Sequence, residues 1–229
     1  MVGIDLALRV LTVTNSMKQS QEIVRPLMSE PVSIAALLLR FQGEIVRKSL
    51  HFLIALVPLL ASVNLTATLG LLAAGILFYS FAESSRLQGF PIPLVSDLTM
   101  IASREKDRRG FVLGPVTLGL GAMLSLLLYP LPAASLAIYA LAFGDGIATL
   151  AGTVMRGPRI PLFGDKTISG SLACFAAVFI VTLSVTQRPF YAFLLAVAGA
   201  FLEAIPAGNY DNIILPVGIG LIASRLPLA

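Results

Sequence analysis

The chain has 229 residues, 57% of them hydrophobic and 12% charged, and a mean hydropathy of +0.90. A soluble domain is roughly 25% charged, so a water-soluble fold of this size cannot hide so much apolar surface, and disorder needs the opposite composition. The net charge of +4 does not indicate a nucleic-acid partner, because the basic residues stand between long apolar runs; one cysteine, Cys174, excludes a disulfide framework and any multi-cysteine metal site.

What remains is an all-α, polytopic transmembrane helix bundle of about seven spans, with a membrane domain over 44–229 and an N-terminal interfacial segment over 1–43. Residues 1–14 place Ile4, Leu8 and Leu11 on one helical face, which predicts an interfacial helix. The same stretch is short, carries Asp5 and Arg9 and lacks a small-residue cleavage pattern, so it is not expected to be a signal peptide. Residues 31–42 (PVSIAALLLRFQ) are too short to cross alone and are expected in the interface, with an eighth crossing left open. A helix needs about 20 apolar residues to cross the hydrocarbon layer. The runs 48–64, 65–82, 111–129, 131–154, 169–186, 189–207 and 212–227 reach or approach this length. Gly and Pro within them are tolerated where neighbours satisfy the backbone. A β-barrel would show short alternating segments instead of continuous runs.

Basic residues mark cytoplasmic loops. Under seven spans, Arg9, Lys18, Arg25, Arg40, Arg47, Lys48, Arg86, Arg104, Lys106, Arg108, Arg109, Arg156, Arg159 and Lys166 fall on one side, and only Arg188 and Arg225 on the other. The N-terminus is therefore read as cytoplasmic and the C-terminus as external. The turns at Asn64, Pro130 and Gln187 are short and nearly uncharged, so chemistry on a charged soluble substrate is expected at the cytoplasmic face.

Ionisable groups within spans cost roughly 2.5–3.5 kcal/mol each on insertion, which makes them functional candidates. Asp145 lies inside the fourth run, in LAIYALAFGDGIATLAG; Glu203 lies near the cytoplasmic end of the sixth; Asp211 and Asn212 open the seventh. Gly144 and Gly146 would let a backbone or a phosphate approach Asp145 closely; the structural alternative is an acid paired with a base to lock the bundle. Glu83 and Arg86 close the second run at i,i+3 spacing and can pair. Glu44, Arg47, Lys48 and His51 form one helical stripe. For Arg47 and Lys48 the alternative is snorkelling and topology; for His51 it is a hydrogen bond to a neighbouring helix.

The loop RGPRIPLFGDKTISGS sets Gly164, Lys166, Thr167, Gly170 and Ser171 before the fifth run. Ser169–Ser171 read as a helix N-terminus, which favours phosphate, although the loop is not GxxxxGK[ST] and follows no strand. In ASREKDRRGF the charges alternate as on a solvated face, with Arg108 and Arg109 abutting the third run as phosphate candidates. Carboxylates beside a polyphosphate suggest Mg²⁺, and cations beside it offset charge on a transferring group.

The ordered set E-x-x-R-K-x-x-H-F (Glu44 to Phe52), E-x-x-R (Glu83, Arg86), G-D-x-x-A-x-x-x-G (Gly144, Asp145, Ala148, Gly152), K-T-x-x-G-S (Lys166 to Ser171) and E-A…D-N…P (Glu203, Ala204, Asp211, Asn212, Pro216) resembles the dolichol kinase / phytol kinase family. These are integral-membrane, CTP-dependent kinases of polyprenols and related lipid alcohols, related to phosphatidate cytidylyltransferases. The resemblance runs from about residue 44 to 217 and leaves the first 43 residues without a counterpart. It implies CTP as phosphoryl donor, Mg²⁺ as cofactor and a membrane lipid hydroxyl as acceptor.

By position, it implies a nucleotide site formed by Arg47, Lys48, Glu83, Arg86, Gly144, Thr167, Gly170, Ser171 and Asn212. Asp145, Asp211, Lys166 and His51 would be catalytic, with Asp145 and Asp211 on the metal. Asp145, Asp211 and His51 all remain candidates for the general base. The expected partners are a lipid alcohol, a nucleoside triphosphate and the bilayer, with homo-oligomerisation left open.

Two rival readings stand beside this one. A phosphatidate cytidylyltransferase would carry a Lys-Arg and Lys-Asp run and a His-Gly-Gly and Asp-Arg stretch after Asp165, which this chain lacks. An ion-coupled secondary transporter would use buried acids and broken helices. The only internal similarity, FAESSRLQG (81–89) with FLEAIPAGN (201–209), ends spans of the same direction and is not an inverted repeat.

Overall fold

The structure, a computed structural model, describes residues 34–103, 107–155, 157–161, 163–164 and 166–228, with side chains from residue 42 onward. The expected interfacial helix over 1–14 lies outside the described residues, as do Arg9, Lys18, Arg25, Arg104, Lys106, Arg156 and Asp165 and the side chain of Arg40. Residues 42–229 form one compact unit.

Helix α1 (Ile34–Leu53) carries the expected stripe and continues through a 3₁₀ turn, Ile54–Leu56, into α2 (Val57–Val63). The irregularity falls just ahead of Pro58, which lacks an N–H and clashes with the carbonyl four residues back. Asn64 ends α2 and caps α3 (Leu65–Leu87) by accepting from the Ala67 N–H at 2.9 Å. A short helix absent from the sequence reading, α4 (Val95–Ala102), follows. Then come α5 (Gly114–Leu128), α6 (Leu131–Tyr139), a π-helical stretch Ala140–Asp145, and α7 (Gly146–Met155). The chain ends with α8 (Ile168–Thr186), α9 (Pro189–Ala204) and α10 (Asp211–Ala223). Proline stands in the first turn of α2, α5, α6 and α9, where its missing donor costs nothing.

Four helices among the described residues are long and apolar enough to cross a membrane: Gln42–Val63, Leu65–Leu87, Leu131–Met155 and Ile168–Thr186. The other three expected spans form helices of 15, 16 and 13 residues. At 1.5 Å per residue these measure about 20–24 Å. Their length does not establish a crossing, so the count of about seven is not confirmed.

The bundle is small inside and large outside. Its core is rich in alanine, with Ala133, Ala137, Ala140, Ala148, Ala196 and Ala223 packed around Leu195, Leu215 and Ile219. Leu71, Leu77, Phe81, Ile180, Phe190 and Phe201 are all more than half exposed. In lipid, burying large apolar groups gives no advantage over leaving them in the bilayer, so close packing of small residues holds the helices together. One contact shows this at atomic scale. Pro216, inside α10, removes the N–H that would bond the Asn212 carbonyl. That carbonyl faces Gly121 of α5 so closely that a Cβ there would sit 2.0 Å from its oxygen.

Candidate active site

The polar stripe of α1 points in two directions. Arg47 pairs with Glu44 one turn earlier on the same helix. Lys48 turns inward, and its Nζ donates to Asp145 Oδ2 at 2.5 Å, while His51 Nδ1 lies 3.1 Å from the same oxygen. Lys48, His51 and Asp145 are 3%, 5% and 6% exposed, so this polar triad is enclosed by protein.

Asp145 closes the π-helical stretch. Such stretches insert an extra residue into a helical turn and recur at functional sites. The glycines beside it are filled by protein: a Cβ at Gly144 would meet Val178 and Cys174, and one at Gly146 would meet Phe52. At these two positions the chain itself, from α8 and from α1, makes the close approach.

The loop before α8 folds into a small antiparallel turn, with Arg159 bridged to Thr167 and the Ile160 N–H donating to the Lys166 carbonyl at 2.9 Å. Thr167 is the helix cap, and its hydroxyl accepts from the Gly170 N–H at 3.1 Å. The N-terminus thus opens one to two residues before the expected Ser169–Ser171, and the Thr167 oxygen is committed to it. A Cβ at Gly170 would meet the Ala148 carbonyl at 3.0 Å, so this glycine seats α8 on α7. Lys166 reaches Glu203 at the end of α9, Nζ to Oε1 at 2.6 Å, and the Ser171 hydroxyl donates to the other oxygen, Oε2, at 3.4 Å.

Asp211 and Asn212 start α10. Asn212 donates through Nδ2 to the Thr117 hydroxyl at 3.0 Å, tying α10 to α5. The Asp211 carboxylate accepts from the Asn212 N–H at 2.9 Å. It lies outside the four long membrane helices, and burial, followed by the nearby Asp145 charge, pushes its pKa up from the ordinary value. Lys166 and Lys48 act on Asp211 in the opposite sense, so both ammonium groups lie within electrostatic reach of it. Cys174 feels Glu203, Asp145 and Lys166 together. Side chains separated by up to 163 positions in sequence, from Lys48 to Asp211, therefore lie within electrostatic range of one another.

Glu83 and Arg86 form a second cluster. Arg86 binds Glu83 through two hydrogen bonds, Nε at 2.8 Å and Nη2 at 2.7 Å. Glu83 also accepts from the Val112 N–H at 2.9 Å, and Arg86 donates to the Gly110 carbonyl at 3.0 Å. The pair clips the end of α3 to the segment entering α5. Arg108 and Arg109 stand exposed at this segment.

Two contributors escaped the sequence reading, Thr117 as the partner of Asn212 and the π-helical stretch; Glu203 was among the expected acids, and only its pairing with Lys166 was not foreseen. Glu203 carried a signal, a carboxylate at the end of an apolar run. Thr117 carried none, because a threonine in a membrane helix usually bonds back to its own turn, as Thr117 also does to Gly114 at 3.0 Å.

Among the described residues, no three His, Cys, Asp or Glu side chains are grouped to hold a metal unaided. Two carboxylates, Asp145 and Asp211, are within electrostatic range of one another. That donor set fits Mg²⁺, which takes one or two carboxylates and fills its remaining positions with phosphate oxygens and water.

No family model matches the chain, and no solved structure matches it. A phytol kinase of Synechocystis sp. is 30% identical over 191 residues, which cover 79% of this chain and 78% of that protein. A likeness of that extent means that the chain belongs to the phytol kinase family.

Proposed function

We propose that the protein is a lipid-alcohol kinase that moves the γ-phosphoryl group of CTP to the hydroxyl of a polyprenol, phytol or similar membrane alcohol, with the site at the cytoplasmic face. The observation that carries this reading is the convergence of Lys48, Asp145, Lys166, Glu203 and Asp211 from separate segments beside lipid-facing helices. The phytol kinase relative supports the acceptor class.

In the transfer, the alcohol oxygen bonds to the γ-phosphorus. The bond from that phosphorus to the β,γ-bridging oxygen breaks, and the nucleoside diphosphate leaves with the electron pair. The hydroxyl proton passes to a carboxylate of the cluster. Such transfers need positioning and charge neutralisation more than covalent help. Lys166 has three N–H donors and spends one on Glu203, leaving donors for a phosphate. Lys48 and His51 fix the Asp145 carboxylate, so its place does not depend on solvent. Asp145 and Asp211 would hold Mg²⁺, which supplies positive charge to the phosphate oxygens when bound. Arg47 is part-exposed and available to the nucleotide beyond its bond to Glu44.

The test is incubation of purified protein with CTP labelled at the α- or γ-phosphate and a panel of lipid alcohols. Transfer of γ-label with release of CDP is expected. Transfer of α-label with release of pyrophosphate would replace this reading with a cytidylyltransferase.

A further inference from the structure

Between α8 and α9 a groove of about 350 Å³ opens on the surface, lined by Ile160, Ile168, Leu172, Phe175, Val197 and Ala200. Its one hydroxyl-bearing wall residue is Ser171, whose Oγ lies 3.4 Å from Glu203 Oε2. The groove thus opens on a lipid-facing surface, and Ser171 links its wall to the Glu203–Lys166 pair behind it. Ile168, Leu172 and Val197 are 46%, 65% and 46% exposed, so the groove is reached sideways from the bilayer. Its floor is stiff: Phe175 stacks on Phe179 at 6.0 Å and meets Phe193 edge-on at 5.9 Å. The volume is near the low end of ligand pockets, roughly 300–1,000 Å³. It therefore suits the first part of a long tail, with the remainder in the membrane.

We infer that this groove is the acceptor site. The hydroxyl-proximal segment of the lipid alcohol lies along Leu172, Phe175 and Val197. Its hydroxyl is received by Ser171 and Glu203 beside Lys166, where the donor phosphate arrives, and Ala200 sets which chains fit. Two features together select a lipid alcohol over an ordinary bilayer lipid. The walls are apolar except for Ser171, and behind that hydroxyl stands the buried Glu203 carboxylate, which can take a hydroxyl proton through Ser171 and repels a phosphate headgroup. This inference rests on the proposed kinase reading.

The test fills the groove. In full-length protein in membranes, Ala200→Phe is expected to raise KM for a twenty-carbon prenyl alcohol about ten-fold or more, the discrimination that apolar pockets give. KM for CTP should stay where it is. Ile180→Phe, on the exposed outer side of α8, should change none of these values. If Ala200→Phe fails to insert, the milder Ala200→Leu is read the same way. An unchanged KM for the long alcohol in an inserted groove variant overturns the inference.

A diazirine-bearing twenty-carbon alcohol gives a readout independent of turnover. Labelling of α8 and α9 peptides that unlabelled alcohol competes away supports the groove, and labelling confined to other helices overturns it. Absence of phosphoryl transfer from the wild-type protein to any alcohol would instead sink the kinase reading, with the photolabel still reporting on the groove.

Discussion

The Lys48–Asp145 pair joins α1 to the central helix, and its removal gives the sharpest expected outcome. Asp145→Asn keeps the side-chain volume and deletes the charge that Lys48 Nζ meets at 2.5 Å. Lys48 is 3% exposed, so its ammonium has no water to turn to. Breaking one partner of a buried pair costs about 3–5 kcal/mol, a large part of the roughly 5–15 kcal/mol that holds an ordinary domain together. The double variant Lys48→Met/Asp145→Asn removes both charges, and uncharged replacements of a buried pair are often neutral or stabilising.

The assay is the thermal unfolding midpoint of purified protein in detergent, measured beside γ-phosphoryl transfer in membranes. The single variant should unfold early and fail to transfer. The double variant should regain most of the lost midpoint and still fail to transfer, because the carboxylate is gone. A double variant that folds and transfers at the wild-type rate would refute the reasoning and reduce the pair to a helix clamp.

Other outcomes follow from the same geometry. Lys166→Ala deletes a charge-assisted donor worth about 1.5–3 kcal/mol, so KM for CTP should rise roughly ten-fold or more while KM for the lipid alcohol moves less; an unchanged CTP dependence would contradict a phosphate role. Arg86→Ala removes the bond to the Gly110 carbonyl and leaves Glu83, which holds the Val112 N–H, without its cation, and trypsin should then cut membranes bearing the variant faster at Arg108 and Arg109; equal cleavage rates would argue against the clip. Gly121→Ala should lower the unfolding midpoint because the Asn212 carbonyl blocks its Cβ, whereas Gly75→Ala, with open space, should not lower it; equal shifts would show that the α5–α10 contact is looser than described. Cysteines placed at Arg108 and Arg188 should react with an impermeant maleimide from opposite sides of sealed membranes, against a silent background because Cys174 is buried; labelling from the same side would reverse the assigned topology.

Much of the architecture was legible from hydropathy. In lipid the backbone must satisfy its own hydrogen bonds, so an apolar run of sufficient length has helix as its outcome. The span count was not legible, because apolar runs such as 111–129 and 189–207 include residues that the proline-set boundaries exclude from the helices. Neither was α4, where Leu94, Leu98 and Ile101 face outward and Ser96 and Thr99 are buried, the reverse of a soluble amphipathic helix.

The sequence alone determined that this chain is an all-helical membrane protein with costly acids at Asp145 and Glu203 inside apolar runs, because composition and burial in lipid act on each segment separately. Only the tertiary structure decided that Lys48 belongs to Asp145, 97 residues away, that Lys166 belongs to Glu203, and that Gly144 and Gly146 serve helix packing. Those choices depend on how each helix is rotated and displaced against its neighbours. A π-helical insertion at Asp145 and small residues at the contacts set that rotation across the whole bundle, beyond the reach of any local pattern.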